Sequence, residues 1–172
     1  MAKWSASPAL EANVRVLSPE LKVEVLPQHT ALVVRAHREA MKHSAFPDQS
    51  NTTSGSDPLI WWMSPEARLI TSATLDGPTL AKMFPFASVE LSDSYATFRV
   101  QGAHARDLLA RGCGLNLDAE NFHAGQCART RLASLPALLR PLPDQSLEIW
   151  IDRSAAHYFY DWLMDTALAL RD

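Results

Sequence analysis

The sequence predicts an α+β fold with ferredoxin-like layering, in which a mostly antiparallel sheet carries helices on one face. Three observations support this class. Short segments alternate apolar and polar residues with the period of a half-buried strand. Turn residues separate many of these segments closely enough for antiparallel hairpins, and eleven prolines keep the elements short. Segments with helical spacing interrupt the strands in the order strand–strand–helix–strands–helix.

The first half of the chain is predicted to consist of strands around one long loop. Residues 1–18 show no clear periodicity and are expected to form an irregular N-terminal arm, followed by a single domain over 19–172. The segment 43–58 is polar, so it is predicted to be a mobile loop or a disordered insertion. Strands are expected at 21–26, 30–36, 59–63 and 68–72.

The first two helices are predicted from their spacing and their end signals. One is expected over 75–84, with Asp76 as its N-cap. The next opens at Gly102 and is expected to end at Gly112–Gly114, because glycine readily adopts the left-handed conformation of a helix C-cap.

The remaining strands and the last helix follow in the second half. Ser154 is the expected N-cap of a helix over 155–170. Its buried stripe is predicted to contain Ala155, Tyr158 or Phe159, Trp162 or Leu163, Ala167 and Leu170. Strands are expected at 87–91, 95–100, 127–133, 137–142 and 147–151. The first two of these are predicted to form a hairpin through Ser92–Ser94.

Composition and charge exclude several classes of function. The 172 residues carry a net charge of −3, which argues against a nucleic-acid partner and against a polybasic membrane contact. No apolar run approaches the roughly 18–20 residues that span a bilayer. Lys3, Glu11 and Arg15 interrupt the region where a signal peptide needs an apolar core, so we expect a cytoplasmic protein. Cys113 and Cys127 are too few for a disulfide scaffold.

No catalytic motif is found in the sequence. A Gly-x-Ser-x-Gly elbow, a Walker phosphate loop and a His-Glu-x-x-His helix are all absent. Gly112-Cys113-Gly114 follows a helix instead of a strand, so it is interpreted as a cap and not as a dinucleotide fingerprint. Four possible zinc ligands lack the compact spacing of a structural site: His104, Cys113, His123 and Cys127. We therefore expect no catalytic, cofactor-binding or metal-binding residue.

Several residues are instead candidates for a subunit interface. Arg129 and Arg131 project from the same face of one predicted strand. They either clamp a carboxylate or phosphate, pair with acids of a partner, or belong to a solvated face. Trp61 and Trp62 are adjacent on a strand and point to opposite faces, so at least one of them is a candidate for a contact outside the core. Arg153 is a further candidate for a pair across a subunit boundary.

The order of short motifs in the C-terminal half is distinctive. Thr97–Gly102 leads into Ala105–Cys113, and Gly125–Thr130 follows with the sequence Gly-Gln-Cys-Ala-Arg-Thr. Over about eighty residues this half resembles the gamma subunit family of heterotetrameric sarcosine oxidase, a relative of the folate-binding aminomethyltransferase fold. The signature positions are Gly112, Cys113, Leu115, Leu117, Phe122, Gly125, Cys127, Arg129, Thr130, Arg153, Ser154 and Trp162.

The first half resembles the same family more weakly. The segment 62–70 is similar to the family's Trp-Leu-Gly-Pro-Asp-Glu-Trp-Leu element. Ser64 stands in place of its glycine, and Arg68 in place of its second tryptophan. Glu90 stands where the family usually has aspartate.

The resemblance implies a place in an enzyme complex and a fold similar to the folate-binding aminomethyltransferase domain. The complex oxidises the N-methyl group of sarcosine, giving glycine, hydrogen peroxide and, with tetrahydrofolate, methylenetetrahydrofolate. FAD, FMN, NAD and tetrahydrofolate are expected on the larger alpha and beta subunits, and zinc on the small delta subunit. The gamma chain is expected to carry no catalytic residue and to assemble or stabilise its partners.

Two alternatives remain open from the sequence. One is a subunit of a related dehydrogenase that acts on another N-methyl amino acid, such as N-methylglutamate or dimethylglycine. The other is a minimal folate-binding aminomethyltransferase-like protein, in which an acid and an aromatic side chain hold the pterin. The residues available for that role are Trp61, Trp62, Glu90 and Asp93.

Overall fold

The structure is a computed structural model that describes residues 9–170, and it contains two antiparallel sheets. Its strands are β1 (Asn13–Ser18), β2 (Leu21–Val25), β3 (Thr30–Arg35), β4 (Thr53–Gly55), β5 (Leu59–Ser64), β6 (Ala67–Ser72), β7 (Ala87–Glu90), β8 (Tyr95–Gln101), β9 (Ala128–Leu132), β10 (Leu135–Pro141) and β11 (Leu147–Asp152). Its helices are α1 (Gly77–Met83), α2 (Ala105–Ala110) and α3 (Ala156–Leu168). The predicted α+β class and the antiparallel pairing are confirmed.

The six-stranded sheet has the order β1-β2-β8-β11-β10-β9 and packs one face against α2 and α3. Phe98 of β8 and Ile149 of β11 lie on this face and contact the helices through Leu108, Phe159 and Leu163. All five side chains are fully buried. This layer forms the largest core because the central strands β2, β8, β10 and β11 contribute alternate residues to it.

The five-stranded sheet has the order β4-β5-β6-β3-β7 and carries α1 on its outer face. Val34 and Ile70 pack there against Leu80 and Phe84 of the helix. Asp76 accepts a hydrogen bond from the backbone N–H of Thr79 (2.9 Å), which confirms the predicted N-cap.

The two sheets pack face to face, which was not predicted. Their inner faces meet in a third cluster that includes Leu69, Trp61, Leu138 and Trp150. Strand β6 is buried on both faces and β5 is buried over its first three residues, so both strands are covered by a layer on each side. Each sheet therefore carries helices on one face only, as predicted, while its other face packs against the second sheet.

The predicted hairpin through Ser92–Ser94 is wrong. Strand β7 pairs with β3 in one sheet, whereas β8 pairs with β2 and β11 in the other. Ser92–Ser94 form a single 3₁₀ turn that carries the chain from one sheet to the next. The physical reason is that β7 is exposed on both faces, so it is suited to an edge and not to the centre of the larger sheet.

Two segments predicted to lack structure are ordered in part. Residues 13–18 form β1, which pairs with β2 and is an edge strand of the larger sheet. Within 43–58, β4 pairs with β5, and Phe46 is buried against Phe84. The polar composition of 43–58 concealed the second of these contacts, whereas β1 is largely exposed and is held by its backbone pairing with β2. The first eight residues of the predicted arm lie outside the described part of the chain.

The ends of the second and third helices also differ from the prediction. Asp152, and not Ser154, caps the 3₁₀ turn before α3, because its carboxylate accepts the backbone N–H of Ser154 at 2.8 Å. Along α3, Phe159 is buried whereas Tyr158 is exposed. Gly112 follows α2 without adopting the left-handed conformation. Within residues 9–170, no helix is both long and apolar enough to cross a membrane.

Candidate functional site

An open cleft of about 350 Å³ lies at one end of the interface between the two sheets. We call it the inter-sheet cleft. Its apolar wall comes from both sheets and includes Val33, Met63, Leu138 and Trp150. The side chains of Trp61 and Tyr95 pack edge-on against the Trp150 ring at centroid distances of 5.9 and 5.6 Å, so this wall is held in place by aromatic contacts.

Charged groups surround this apolar wall. Arg35 ends β3, Arg129 lies on β9, and Asp152 ends β11. The strand register aligns Arg129 with Leu138 and Trp150 in a row across the larger sheet. Both arginines are exposed, so the cleft combines an apolar wall with two exposed cations at its border. Such a surface can hold an acidic group beside an apolar one.

Two titratable side chains of the cleft, Tyr95 and Asp152, have shifted pKa values. Burial raises the pKa of Tyr95, with Arg129 opposing that shift. Hydrogen bonds from Ser154 lower the pKa of Asp152 below its usual range. At neutral pH the tyrosine therefore stays protonated and the carboxylate stays ionised. The pair supplies a hydrogen-bond donor and a fixed negative charge.

The residues predicted to lie at a subunit interface differ in burial and in their contacts within the chain. Trp61 is 1% exposed and lies between the sheets, which leaves Trp62 as the candidate of the pair for a contact outside the core. Its indole N–H donates to the Thr71 hydroxyl at 3.1 Å, which satisfies its polar atom inside the core. Trp62 is half-buried on the opposite face of the same strand. Arg131 is exposed and donates to the carbonyl of Ser134 at 2.6 Å.

Arg153 also has a partner within the chain. Its guanidinium lies 3.8 Å from the carboxylate of Asp93, which in turn accepts a 2.5 Å hydrogen bond from Gln28. This ion pair links the start of α3 to the 3₁₀ turn between the sheets. Arg153 thus has a partner inside the chain, and the pair across a subunit boundary stays a prediction.

The signature residues between α2 and β9 hold that connection on the core. Leu117 and Phe122 are buried, and their carbonyls accept hydrogen bonds from the Arg106 guanidinium. A Cβ atom on Gly112 would lie 2.5 Å from the Trp162 ring. Glycine is thus required here for close packing of the chain against α3, and not for a left-handed backbone.

The buried thiol of Cys127 is part of the same connection. Its Sγ donates to the carbonyl of Thr52 at 3.3 Å, and its backbone N–H donates to Asn51. Burial raises the pKa of this thiol to about 11. The thiol is consequently protonated at neutral pH and packs as an apolar group.

The residues considered for metal and pterin binding are not brought together at the cleft. In the described part of the chain, no three His, Cys, Asp or Glu side chains cluster as a metal site would require. Glu90 contacts Gly77 at the start of α1, and Asp93 is engaged by Arg153 and Gln28. The proposed pterin set of Trp61, Trp62, Glu90 and Asp93 contributes no residue to the cleft wall.

Sequence reasoning missed a buried ionic network at the other end of the sheet interface. Glu148 accepts two hydrogen bonds from Arg140 (3.1 and 2.6 Å) and one from the indole of Trp150 (2.6 Å). The Arg140 guanidinium also lies over the Trp61 ring at 5.5 Å. The two charged residues are direct cross-strand partners in the hairpin of β10 and β11. Both residues lie within the predicted strands 137–142 and 147–151, but the prediction did not fix the register that places them opposite each other.

Comparisons with known proteins agree on one family and one fold. The family model described as sarcosine oxidase, gamma subunit family, matches residues 53–169. A chain of the heterotetrameric sarcosine oxidase from Corynebacterium sp. U-96, in complex with pyrrole 2-carboxylate, superposes with a TM-score of 0.76 at 20% identity. That match covers 87% of this chain and 84% of that chain. No curated protein sequence matches significantly.

A more distant similarity connects the chain to a larger enzyme. The glycine cleavage system aminomethyltransferase T from Bartonella henselae superposes with a TM-score of 0.58 at 12% identity. The match covers 81% of this chain but only 44% of the aminomethyltransferase, so the chain spans less than half of that enzyme's length. At these identities the two structures establish a shared fold.

Proposed function

The chain belongs to the sarcosine oxidase gamma subunit family, and we propose that it is a non-catalytic subunit of a flavin-dependent, tetrahydrofolate-linked sarcosine oxidase complex. The observation that carries this proposal is the family match over 53–169, which includes the motif run from Gly112 to Thr130 and the whole of α3. The fold shared with a chain of a heterotetrameric sarcosine oxidase supports it.

The proposed complex removes the N-methyl group of sarcosine by oxidation. Two electrons and two protons pass from sarcosine to dioxygen, which becomes hydrogen peroxide. The resulting methylene group is transferred to tetrahydrofolate, and glycine is released. We propose that FAD, FMN, NAD and tetrahydrofolate are held by alpha and beta subunits, and zinc by a delta subunit, in the cytoplasm.

The chemistry of this chain supports a binding role. The inter-sheet cleft offers an apolar wall and exposed cations, while the Cys127 thiol is held protonated by burial. Arg129 and Arg131 lie on β9, an edge strand of the larger sheet, and both side chains are exposed to a neighbour. We propose that both arginines and Trp62 contact acidic and apolar groups of a larger subunit.

The first test is the mass of the assembly that the chain forms. Tagged protein purified from its source cells and measured by native mass spectrometry is expected to emerge with two larger flavin-bearing chains and one small chain. The chain purified alone is expected to bind no flavin and to oxidise no sarcosine. Recovery as a monomer or a homodimer, or flavin-linked turnover by the isolated chain, would contradict the proposal.

Charge reversal on β9 tests the proposed contact face. Arg129→Glu is expected to weaken assembly by about 2 kcal/mol or more, roughly thirtyfold in the dissociation constant, if the arginine meets an acid of the partner. Arg15→Glu is the matched control, since Arg15 is also exposed on an edge strand of the same sheet. Equal recovery of the complex for the two variants would indicate that Arg129 lies on a solvated face and not at a subunit contact.

A further inference from the structure

A buried arginine without a carboxylate partner lies beneath the five-stranded sheet's outer layer. Arg68 is on β6, opposite Val34 of β3 and Trp62 of β5, and its side chain is directed into the layer that contains Phe46. The residue is only 5% exposed. Its guanidinium lies 5.7 Å from the centroid of the Phe46 ring and 5.9 Å from that of Trp62.

The hydrogen bonds of this guanidinium go to backbone carbonyls and leave one side unsatisfied. Its Nη1 donates to the carbonyls of Ser64 (2.6 Å) and Ala67 (2.9 Å). Nη2 makes a long 3.5 Å contact with the carbonyl of Pro47, and the buried Nε has no partner. Nε–H and the adjacent Nη2–H form the edge of a guanidinium that binds an oxyanion with two parallel hydrogen bonds. This is the edge with spare donors.

The charge on Arg68 is also uncompensated. Arginine keeps its proton even when buried, and here burial lowers its pKa from a value far above neutrality. Within residues 9–170, no carboxylate lies within 4 Å of the guanidinium. Asp48 acts on it only from a longer distance. A buried cation without a counterion is costly, so an anion bound beside it would be strongly favoured.

A cavity large enough for such an anion adjoins the arginine. It has a volume of about 190 Å³, far above the roughly 10–15 Å³ that one water molecule needs. Arg68, Arg38, Lys42, Asp48 and Trp62 contribute to its wall. Lys42 pairs with Glu39 at 2.8 Å. With Glu39 counted, the charged groups around the cavity still carry a net positive charge.

We propose that this cavity binds a small oxyanion, the carboxylate or phosphate group of a metabolite, with Arg68 as the buried anchor and Arg38 and Lys42 as cations at the rim. Trp62 supplies a flat wall against which the rest of a small ligand can pack. The anion neutralises the buried Arg68 guanidinium, which has no carboxylate partner within the described residues. The site is carried by observations other than those behind the proposed role in the complex: it shares no residue with the inter-sheet cleft, and of the proposed subunit contacts only Trp62 also lines it.

The test uses the full chain with inorganic phosphate and with acetate as probes. Thermal unfolding is followed at constant ionic strength while chloride is replaced by each anion, and the Nε–Hε resonances of arginine are recorded by ¹⁵N NMR. A saturable rise in Tm with one of the two oxyanions, together with a shift of the Arg68 resonance, is the expected result. Equal Tm values in chloride, phosphate and acetate would overturn the proposal.

Variants separate this site from general anion effects. Arg68→Met is expected to reduce the affinity for the oxyanion tenfold or more, the usual scale for losing a charge-assisted contact of about 1.4 kcal/mol. The double variant Arg38→Gln/Lys42→Gln alters only exposed side chains and is expected to weaken binding several-fold, which keeps the test decisive if Arg68→Met does not fold. Arg111→Gln, exposed at the end of α2, is the matched control and should bind as the unmodified chain does. Binding that is unchanged in the double variant would also overturn the proposal.

Discussion

Glu148→Ala is expected to lower the free energy of unfolding by about 3–5 kcal/mol, because it removes one partner of a buried ion pair and leaves the other uncompensated. Glu148 is 6% exposed, and its two carboxylate oxygens accept three hydrogen bonds from Arg140 and Trp150. Truncation would leave the Arg140 guanidinium without a counterion and the Trp150 indole N–H without an acceptor. Both losses add to the cost.

The measurement is equilibrium unfolding in urea, followed by tryptophan fluorescence. Glu24→Ala is the matched control, because Glu24 forms a 3.6 Å pair with Lys22 in the same sheet but both side chains are partly exposed. It is expected to change stability by about 0–1 kcal/mol. Similar losses for the two variants would show that burial of the Arg140–Glu148 pair does not matter to stability.

A double variant separates the charge from the packing. Glu148→Leu combined with Arg140→Met replaces both members of the pair with apolar groups, which often costs little or even stabilises a protein. Its stability is expected to lie well above that of Glu148→Ala. A double variant that unfolds as readily as Glu148→Ala would instead assign the loss to shape and not to an unpaired charge.

Phe159→Ala is expected to lower the free energy of unfolding by about 3–5 kcal/mol, because it removes buried surface and creates a cavity. Phe159 is fully buried in α3, with its ring edge-on to Phe98 at 5.0 Å and stacked on Trp162 at 5.8 Å. These contacts join the helix to the centre of the six-stranded sheet. Collapse of the neighbouring rings would recover only part of the loss.

Tyr158→Ala is the control for this second prediction. Tyr158 is the preceding residue of the same helix, carries a ring of similar size, and is 55% exposed. The only hydrogen bond that its side chain makes in the described chain is a long one, 3.5 Å, from the hydroxyl to the carbonyl of Ala133. A change of about 1 kcal/mol or less is expected in the same urea titration. A larger loss for Tyr158→Ala than for Phe159→Ala would mean that the helix packs through its other side.

The family and much of the local structure were accessible from sequence. The alternation Leu21–Val23–Val25 predicts β2, and Asp76 predicts the start of α1, because both signals depend on near neighbours along the chain. The motifs around Cys113 and Cys127 indicated the family for a related reason. These motifs lie in the connection from α2 to β9. Close packing at its glycine, buried side chains and hydrogen bonds to backbone carbonyls leave few other residue types that fit there.

Less of the candidate site could be predicted from the sequence. Arg129 was identified, but its place in a cleft beside Arg35 and Trp150 depends on two sheets that meet far apart in sequence. Trp61 and Trp62 were indistinguishable because alternation assigns them to opposite faces without saying which layer covers each face. Arg68 read as an ordinary strand residue, since nothing local shows that segment 38–50 folds over it.

The sequence by itself determined nine of the eleven strands in the described residues, most helix positions, the antiparallel α+β class and the family, since each follows from short-range periodicity or from motifs in order. Only the tertiary structure decided that the strands divide into two sheets, that β7 and β8 belong to different sheets on either side of Ser92–Ser94, and that Arg140 pairs with Glu148. The physical reason is that period-two alternation shows that a strand has a buried face but not which partner covers it. Long-range packing and the pairing of buried charges make that choice.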